Sequence, residues 1–275
     1  MRDITHIIDL IKEQLDGVTV EMRECAINND VHANHIVITP IGSNIGASMR
    51  VSYYADYMSD EMVAADMVRK YHDSIDHTPD IDISSDPTRI IARLIGKEKN
   101  AELLDTIPYI DFLDMAVTFR YVFTDKESMM GTTLITNHLQ KKLGMSLQDL
   151  YVNAVKNMGN ATFQSIMNIL HGYYPEQKLD FDIPMYVLTA ENMSNGAVFI
   201  TFPNIAKKIG SVLGDFIMLP SSIHEVIIVP SDGSYDIDEL RSLVELVNST
   251  EIQPDEVLTD NVYLYSVESD SWRIG

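Results

Sequence analysis

Two serines, a histidine and a glutamate lie close together in the stretch "IMLPSSIHEVIIVP", residues 217–230. A serine nucleophile needs a base within about 3 Å, and a third group has to orient that base. Ser221 or Ser222 could serve as the nucleophile and His224 as the base, with Glu225 or an acidic residue from elsewhere beside them. Residue types and spacing therefore raise the hypothesis of a hydrolase site.

The same spacing also fits a polar structural turn. Neighbouring residues of an extended segment alternate between faces, so His224 and Glu225 point apart, while Ser222 and His224 can share a side. Serine hydrolases usually draw their triad from separate segments, and the chain has no G-x-S-x-G motif. Pro220 can end the preceding strand, and serine hydroxyls can bond to backbone amides in a short turn. We favour a structural turn that also offers a binding surface, with catalysis as the alternative.

A second polar cluster is "HDSIDHTPDID", residues 72–82. On a continuous helix His72 and Asp76 would share a face, with His77 nearby, and these side chains could bind a divalent metal. Pro79, however, places the cluster at a helix end, where histidines are stabilised by the helix dipole. We therefore expect no metal site. The chain also lacks both glycine-rich phosphate motifs, so no cofactor is expected.

Two smaller groups complete the candidate residues. Asp111 and Asp114 border an apolar run and could act as paired carboxylates or as the acidic partner of His224, although capping or edge exposure explains them more simply. His32 and His35 lie in a predicted turn with no evident third metal ligand.

Charge excludes one class of partner. The chain has 41 acidic and 20 basic residues, and a net charge of -21 opposes electrostatic binding to nucleic acid or to anionic membranes. Residues 215–275 hold 13 Asp or Glu against Arg241 and Arg273, which gives -11 for this region. Such a surface can bind a basic protein or imitate a phosphate backbone, and the simpler explanation is a solvated acidic face that keeps the protein in solution.

Composition indicates the compartment. The chain has 275 residues, of which 45% are hydrophobic, and no apolar run reaches the roughly 18 to 20 residues that span a bilayer. The first residues lack the basic start and cleavage site of a secretory signal. Cys25 is the single cysteine, which fits strand packing in a reducing compartment. We expect a cytoplasmic protein without a membrane span, and the oligomeric state stays open.

Periodicity predicts an α+β fold, with mixed or antiparallel sheets, flanking helices and two subdomains. The predicted subdomains are residues 1–125 and 126–275, with an alternative boundary near 172–184. Helices are predicted at residues 4–15, 60–75, 86–96, 147–157, 203–213 and 237–247. Strands are predicted at "VTVEMREC", "NHIVITPI", "GASMRVSYYADYM", "MYVLTA", "AVFITF", "DFIMLP", "EVIIVP" and in a terminal hairpin. The stretches "DFLDMAVTFRYVF" and "GTTLITNHL" are predicted to be two strands, or a strand followed by the start of a helix.

Several stretches together resemble an uncharacterised protein family. They include "VSYYADYMSDEMVAADMVRKY", "NAELLDTIPYIDFLDMAVTFRYVF", "LITNHLQKKLGMSLQDLYVNAVKN", "MYVLTAENMSNGAVFI" and "DFIMLPSSIHEVIIVP", in order along nearly the whole chain. The family is a domain of unknown function from gut Firmicutes (Clostridia), often in mobile elements, with an "LPSSIHEV" motif. Where its members carry an Asn-Gly turn near the start, this chain reads "INNDVHANHIVI". The resemblance implies a continuous architecture and no particular reaction.

These observations favour a non-enzymatic cytoplasmic protein that acts through protein interaction. The acidic C-terminal region and the turn at residues 221–225 are the predicted contact surface. A Ser222/His224 hydrolase is one alternative, and an acidic decoy for a DNA-binding protein, carried by a mobile element, is another.

Overall fold

The chain forms two compact units. The computed structural model describes residues 3–43, 46–75, 86–126, 129–173, 184–220, 222–233 and 235–275. One unit comprises Met1–Ser84 and Phe123–Thr132, and the other Ser85–Val122 and Thr133–Gly275. The subdomain division predicted at residue 125 stays a prediction, and most of the alternative boundary, residues 174–183, lies outside the described residues.

The first unit packs two helices on one face of a three-stranded sheet. Its elements are α1 (Ile4–Lys12), β1 (Val18–Ala26), β2 (His32–Pro40), β3 (Ala47–Arg50) and α2 (Asp60–Ile75). The predicted hairpin is confirmed, because β1 and β2 pair antiparallel with Val20 opposite Ile38. Ser59 accepts a hydrogen bond from the Met62 N–H, so the predicted start of α2 is also confirmed. Both helices contribute to an apolar core that contains Ile7, Ile11, Ile36, Ile38, Val63, Met67 and Tyr71.

The second unit begins with a smaller antiparallel sheet and two helices. Its elements are β4 (Ile90–Gly96), α3 (Ala101–Leu104), β5 (Tyr109–Phe112), β6 (Met115–Lys126), β7 (Met129–Leu134), α4 (Asn137–Leu143) and α5 (Leu147–Asn157). The residues of β6 and β7 that lie within Phe123–Thr132 are assigned to the first unit. The strand order is β4-β6-β5, and β7 pairs with β6. Ser146 caps α5 as predicted, in a reciprocal capping box with Asp149. The stretch predicted as one strand from Asp111 onward is instead two strands, and Leu113 takes a positive φ of 58° in the turn between them.

The helix predicted at residues 86–96 is wrong, because this segment is strand β4. Asp86 does cap the predicted start, but the helical turn ends after Pro87–Arg89. From there Ile90, Ala92 and Leu94 are buried at every second position, which is the period of a strand. Asp86 is therefore a genuine N-cap, but it begins only a single 3-10 turn, and a strand follows that turn.

The remaining elements form a six-stranded antiparallel sheet with helices beside it. They are β8 (Ala161–Ser165), α6 (Ile166–Tyr173), β9 (Tyr186–Ala190), α7 (Ile205–Leu213), β10 (Phe216–Leu219), β11 (Glu225–Pro230), α8 (Ile237–Thr250), β12 (Tyr263–Ser266) and β13 (Ser271–Ile274). The strand order is β13-β12-β10-β11-β9-β8. Asp236 caps α8 and the terminal hairpin pairs as predicted. α8 packs on the sheet through a core of Ile217, Leu219, Val229, Val244 and Val262.

The strand predicted at "AVFITF" is also wrong, because Gly196–Thr201 forms a 3-10 helix. A short apolar run has no periodicity that separates a buried strand from a buried helix. Here the segment is buried throughout from Gly196 to Ile200. A Cβ built on Gly196 would lie 2.2 Å from the backbone nitrogen of Ala190, so this residue can approach β9 only as glycine.

The predicted α+β class is confirmed, and every strand register recorded among the described residues is antiparallel. No helix within those residues has both the length and the apolar character needed to span a bilayer.

Candidate functional site

The polar turn lies between β10 and β11, and Ser222 within this turn is buried. Ser222 accepts a hydrogen bond from the backbone N–H of His224 through Oγ (3.0 Å), and its own N–H donates to the Glu225 carbonyl (3.2 Å). Ser222 is 5% exposed. These bonds are typical of a structural turn. Ser221 lies outside the described residues.

The imidazole of His224 has partners on both of its nitrogens. Nδ1 accepts a hydrogen bond from the backbone N–H of Asn195 at 3.2 Å. Nε2 lies 3.4 Å from Oε1 of Glu256. Because Nδ1 accepts a hydrogen bond, the neutral ring carries its proton on Nε2. That proton faces the carboxylate of Glu256.

Strand order brings these distant segments together. β9 pairs with β11 so that Thr189 lies opposite Glu225, and Thr189 Oγ1 donates to the His224 carbonyl (2.8 Å). The loop after β9 therefore passes over the turn. Asn195 takes the left-handed conformation there, with a φ of 55°, which asparagine tolerates better than most residues.

The contacts continue from the loop into the smaller sheet of the same unit. Nε of Arg93, on β4, donates to Oδ1 of Asn195 at 2.6 Å. We call Arg93, Asn195, His224 and Glu256 the polar network. It joins β4, the loop after β9, the turn before β11 and the loop before β12.

This geometry limits what His224 can do chemically. A general base needs a free nitrogen lone pair within reach of the nucleophile. The Nδ1 lone pair is used by Asn195, and Ser222 Oγ bonds to the His224 backbone and to no ring nitrogen. Within the described residues, the structure brings Ser222 and His224 together as members of one turn and leaves Glu225 at the start of β11.

The predicted metal cluster falls mostly outside the described residues. Asp76 and His77 lie there, while His72 is exposed near the end of α2, with its ring 5.6 Å from that of Tyr71. In the described part of the chain, no three His, Cys, Asp or Glu side chains are grouped as a metal site requires.

Asp111 and Asp114 bind different partners. Asp111 is exposed and accepts from Lys97 Nζ at 2.7 Å. Asp114 accepts hydrogen bonds from Asn261 Nδ2 (2.8 Å) and from the Tyr263 hydroxyl (2.5 Å). Burial, followed by this bond to Asp114, raises the pKa of Tyr263 well above its usual value. Asp114 thus anchors the segment before β12 to the β5–β6 turn.

The histidines of the first unit also have separate environments. His32 lies 3.5 Å from Asp30, and Nδ1 of His35 lies 2.9 Å from Ser48 Oγ across the sheet. Burial, and then the charge of Arg50, lowers the pKa of His35, so this ring favours its neutral form. Cys25 is partly buried on β1, as strand packing predicts.

The most exposed apolar feature of the acidic region is one side of α8. Leu243 and Leu246 are 50% and 58% exposed. Together with Glu239 they occupy positions i, i+4 and i+7, which lie along one line of a helix. Glu245 is also exposed. We call Glu239, Leu243, Glu245 and Leu246 the outer face of α8.

Three members of the polar network were not identified from sequence. Asn195 was assigned only to a turn, and Glu256 is one of many acids in the C-terminal region. Arg93 falls in the segment predicted to be a helix, so the sequence does not predict its contact with Asn195. One usable signal was the Asn-Gly pair itself, because a left-handed asparagine exposes its N–H to a neighbouring acceptor.

The comparisons identify a family. The model of a family of unknown function, DUF5688, matches residues 4–267, so the chain belongs to this family. No curated protein and no solved structure matches the chain.

Proposed function

We propose that this member of the DUF5688 family is a non-enzymatic binding protein whose acidic C-terminal region binds a basic partner protein through the outer face of α8. The observation that carries the proposal is the pair of half-exposed leucines, Leu243 and Leu246, on a helix rich in carboxylates.

The leucines supply the apolar part of the contact. They lie one turn apart on α8, whereas Val244 on the opposite side packs into the sheet core. Core packing therefore does not explain the two outward leucines. Burying two half-exposed leucines on a partner would contribute about 2 kcal/mol, or roughly 30-fold in affinity.

The carboxylates supply the charge. Among the described residues, no hydrogen bond or ion pair is recorded for the side chains of Glu239, Glu245 or Glu251. Arg241, the one basic residue on α8, already binds Asp238 at 2.6 Å and the Gly275 carbonyl at 2.5 Å. The carboxylates of Glu239, Glu245 and Glu251 are therefore available to bind basic side chains of a partner.

Apolar and acidic groups side by side favour one kind of occupant, a basic amphipathic helix. Its apolar stripe would cover the leucines while its Lys or Arg residues reach the flanking carboxylates. An acidic decoy that imitates a phosphate backbone would use the charges without the leucines, so the two interpretations differ in a measurable way. Direct binding to nucleic acid is disfavoured by charge.

The turn at residues 221–225 has a smaller part in this proposal than in the prediction from sequence. Ser222 and Ile223 are buried and offer little contact area, so His224 and Glu225 are the partly exposed members among the residues of the turn that the structure describes. The occupied ring nitrogens of His224 support a positioning role in place of catalysis by Ser222. The proposal also places the protein in the cytoplasm, in keeping with its single cysteine.

The experiment is affinity capture from a lysate of the source organism with matched variants. Wild-type protein and Val212→Ala are expected to retain the same partner, since Val212 is 74% exposed on α7 and lies outside the proposed surface. Leu243→Ala with Leu246→Ala is expected to lose it. Alanine is a strong helix former, so the double variant should keep α8 intact, which circular dichroism checks.

A charge pair of variants completes the design. Glu239→Gln with Glu245→Gln should weaken capture, whereas Glu102→Gln with Glu191→Gln, which removes the same charge at exposed positions elsewhere, should not. Capture that survives the loss of both leucines but depends on Glu239 and Glu245 would support the decoy. Capture that is indifferent to both pairs would exclude the outer face of α8.

A further inference from the structure

A cavity of about 240 Å³ lies beside the β12–β13 hairpin, away from the residues of the polar network. Its lining is rich in hydrogen-bond donors, supplied by Ser231, Ser266, Ser269, Ser271 and Arg273. Hydroxyl and guanidinium groups are suited to phosphate oxygens. We propose that this cavity binds the phosphoryl group of a small phosphate monoester.

The hairpin register places most of this lining on one face of the sheet. Ser266 lies opposite Ser271, and Leu264 lies opposite Arg273. Because alternate residues of a strand share a face, these four side chains project to the same side. Three hydroxyls come from the hairpin, and Ser231 adds a fourth from the end of β11.

At least three of the hydroxyl donors are available to a ligand. Ser269 and Ser271 bond to each other at 2.7 Å, which uses one of their two O–H groups and leaves the other. Ser231 and Ser266 have no recorded side-chain hydrogen bond to any residue that the structure describes. Three O–H donors can serve the several oxygens of a phosphoryl group, whereas a carboxylate offers only two oxygens.

Arg273 supplies the charge, and it has no recorded ion pair within the described ranges although the region is acidic. Two carboxylates associated with the hairpin are engaged elsewhere. Asp270 binds the Tyr265 hydroxyl (2.6 Å) and Lys207 (2.7 Å), and Asp215 accepts from a backbone N–H of the hairpin (2.8 Å). The guanidinium is thus left to bind an anion.

The size and walls of the cavity indicate an organic phosphate. A cavity of 240 Å³ is larger than a bare phosphate ion requires, and Leu264 provides an apolar wall for the organic group. Glu268 is exposed in the hairpin turn and adds an opposing negative charge. Affinity is therefore expected to be weak, with a Kd on the order of 1 mM.

Titration calorimetry at constant ionic strength tests the cavity with inorganic phosphate, phenyl phosphate and acetate. Phenyl phosphate is expected to bind more tightly than inorganic phosphate, and acetate at least about tenfold more weakly. Arg273→Gln should weaken phenyl phosphate binding at least about tenfold. Lys208→Gln removes another exposed positive charge of the same unit and should leave the affinity unchanged.

Two further variants separate a built site from general charge attraction. Ser266→Ala with Ser271→Ala keeps every charge and should weaken binding about threefold or more, while Glu268→Gln should strengthen it. No saturable binding up to about tenfold above the expected Kd, equal affinity for acetate, or equal losses in Arg273→Gln and Lys208→Gln would each overturn the proposal. Leu243→Ala with Leu246→Ala should not affect this titration, so the site is tested independently of the partner surface.

Discussion

The backbone N–H of Asn195 donates to Nδ1 of His224 over 3.2 Å, although 29 residues separate the two along the chain. The bond fixes the ring of the one histidine in the turn and directs its Nε2 toward Glu256. A residue that first suggests a catalytic base is thereby engaged in holding a loop against a strand.

This bond predicts different results for two replacements of His224. Asparagine offers a carbonyl oxygen near the position of Nδ1, whereas phenylalanine leaves the N–H of the buried Asn195 without an acceptor. We expect His224→Phe to lower the free energy of unfolding by about 1–2 kcal/mol more than His224→Asn does. Urea denaturation measures both, and equal losses would mean that the bond contributes nothing.

Gly196 is predicted to be irreplaceable by alanine. An added Cβ would lie 2.2 Å from the Ala190 backbone nitrogen, and backbone cannot move aside as a flexible side chain can. Gly196→Ala should cost about 3 kcal/mol. Gly172→Ala is the control, since its Cβ would meet nothing within 4 Å and alanine favours helix, so this change should be neutral or stabilising. Similar unfolding midpoints for the two variants would contradict the packing described for the 3-10 helix.

The Tyr263 hydroxyl is predicted to contribute to stability through Asp114. Removing it in Tyr263→Phe deletes a 2.5 Å hydrogen bond to a carboxylate while keeping the ring in the core. The expected loss is about 1–2 kcal/mol in denaturant unfolding. Because burial and the bond both raise the pKa of Tyr263, the folded wild type and Tyr263→Phe should show the same number of tyrosines ionising near pH 10 in ultraviolet titration. Loss of stability below about 0.3 kcal/mol would argue against a structural role for this bond.

Asp66 in the first unit is predicted to make stability depend on pH. Partial burial alone would raise its pKa, but hydrogen bonds from Lys70, Arg69 and Tyr54 outweigh that effect and lower it to about 2. The folded pKa is thus below the unfolded value of about 3.9, so the stabilisation is complete above about pH 4 and is lost as the pH falls toward 2.

Asp66→Asn should therefore lower stability by about 1 kcal/mol at pH 7, a figure discounted for solvent screening, and the deficit should shrink between pH 4 and pH 2. The control is Asp56→Asn, because Asp56 is exposed and has no recorded partner in the described part of the chain. Denaturant unfolding at pH 7, 4 and 3 gives the comparison. A deficit that is constant with pH would show that the ion pairs of Asp66 do not cause it.

Local sequence patterns correctly predicted those helices and strands whose conformation is determined by their own residues. The helical spacing at residues 4–15, the Ser146 and Asp236 caps and the alternation in the terminal hairpin all predicted elements that are present. The helix predicted at residues 86–96 and the strand predicted at residues 197–202 are wrong, because both are short segments whose packing partners decide their conformation. Ile90 to Leu94 form a strand because β6 lies beside them, which local spacing cannot express.

The site was predictable only in part, for a related reason. The turn itself and its serine-to-backbone bonds follow from proline, serine and short spacing. The partners of His224 come from segments placed beside it by the order β11-β9 and by the loop before β12, and a single sequence does not contain that order. The contact of Arg93 could not be predicted, because the segment was predicted to be a helix and the position of its side chain depends on strand β4.

The outer face of α8 is tested most directly by fluorescence anisotropy with a labelled basic amphipathic helical peptide, built from leucine and lysine at helical spacing. We expect saturable binding that weakens about 30-fold in Leu243→Ala with Leu246→Ala and is unchanged in Val212→Ala. Raising the salt from 0.1 M to 1 M should weaken binding further, because the Debye length falls from about 10 Å to about 3 Å. Equal affinity of the wild type and the double leucine variant, or no binding at either salt concentration, would contradict a partner site on α8.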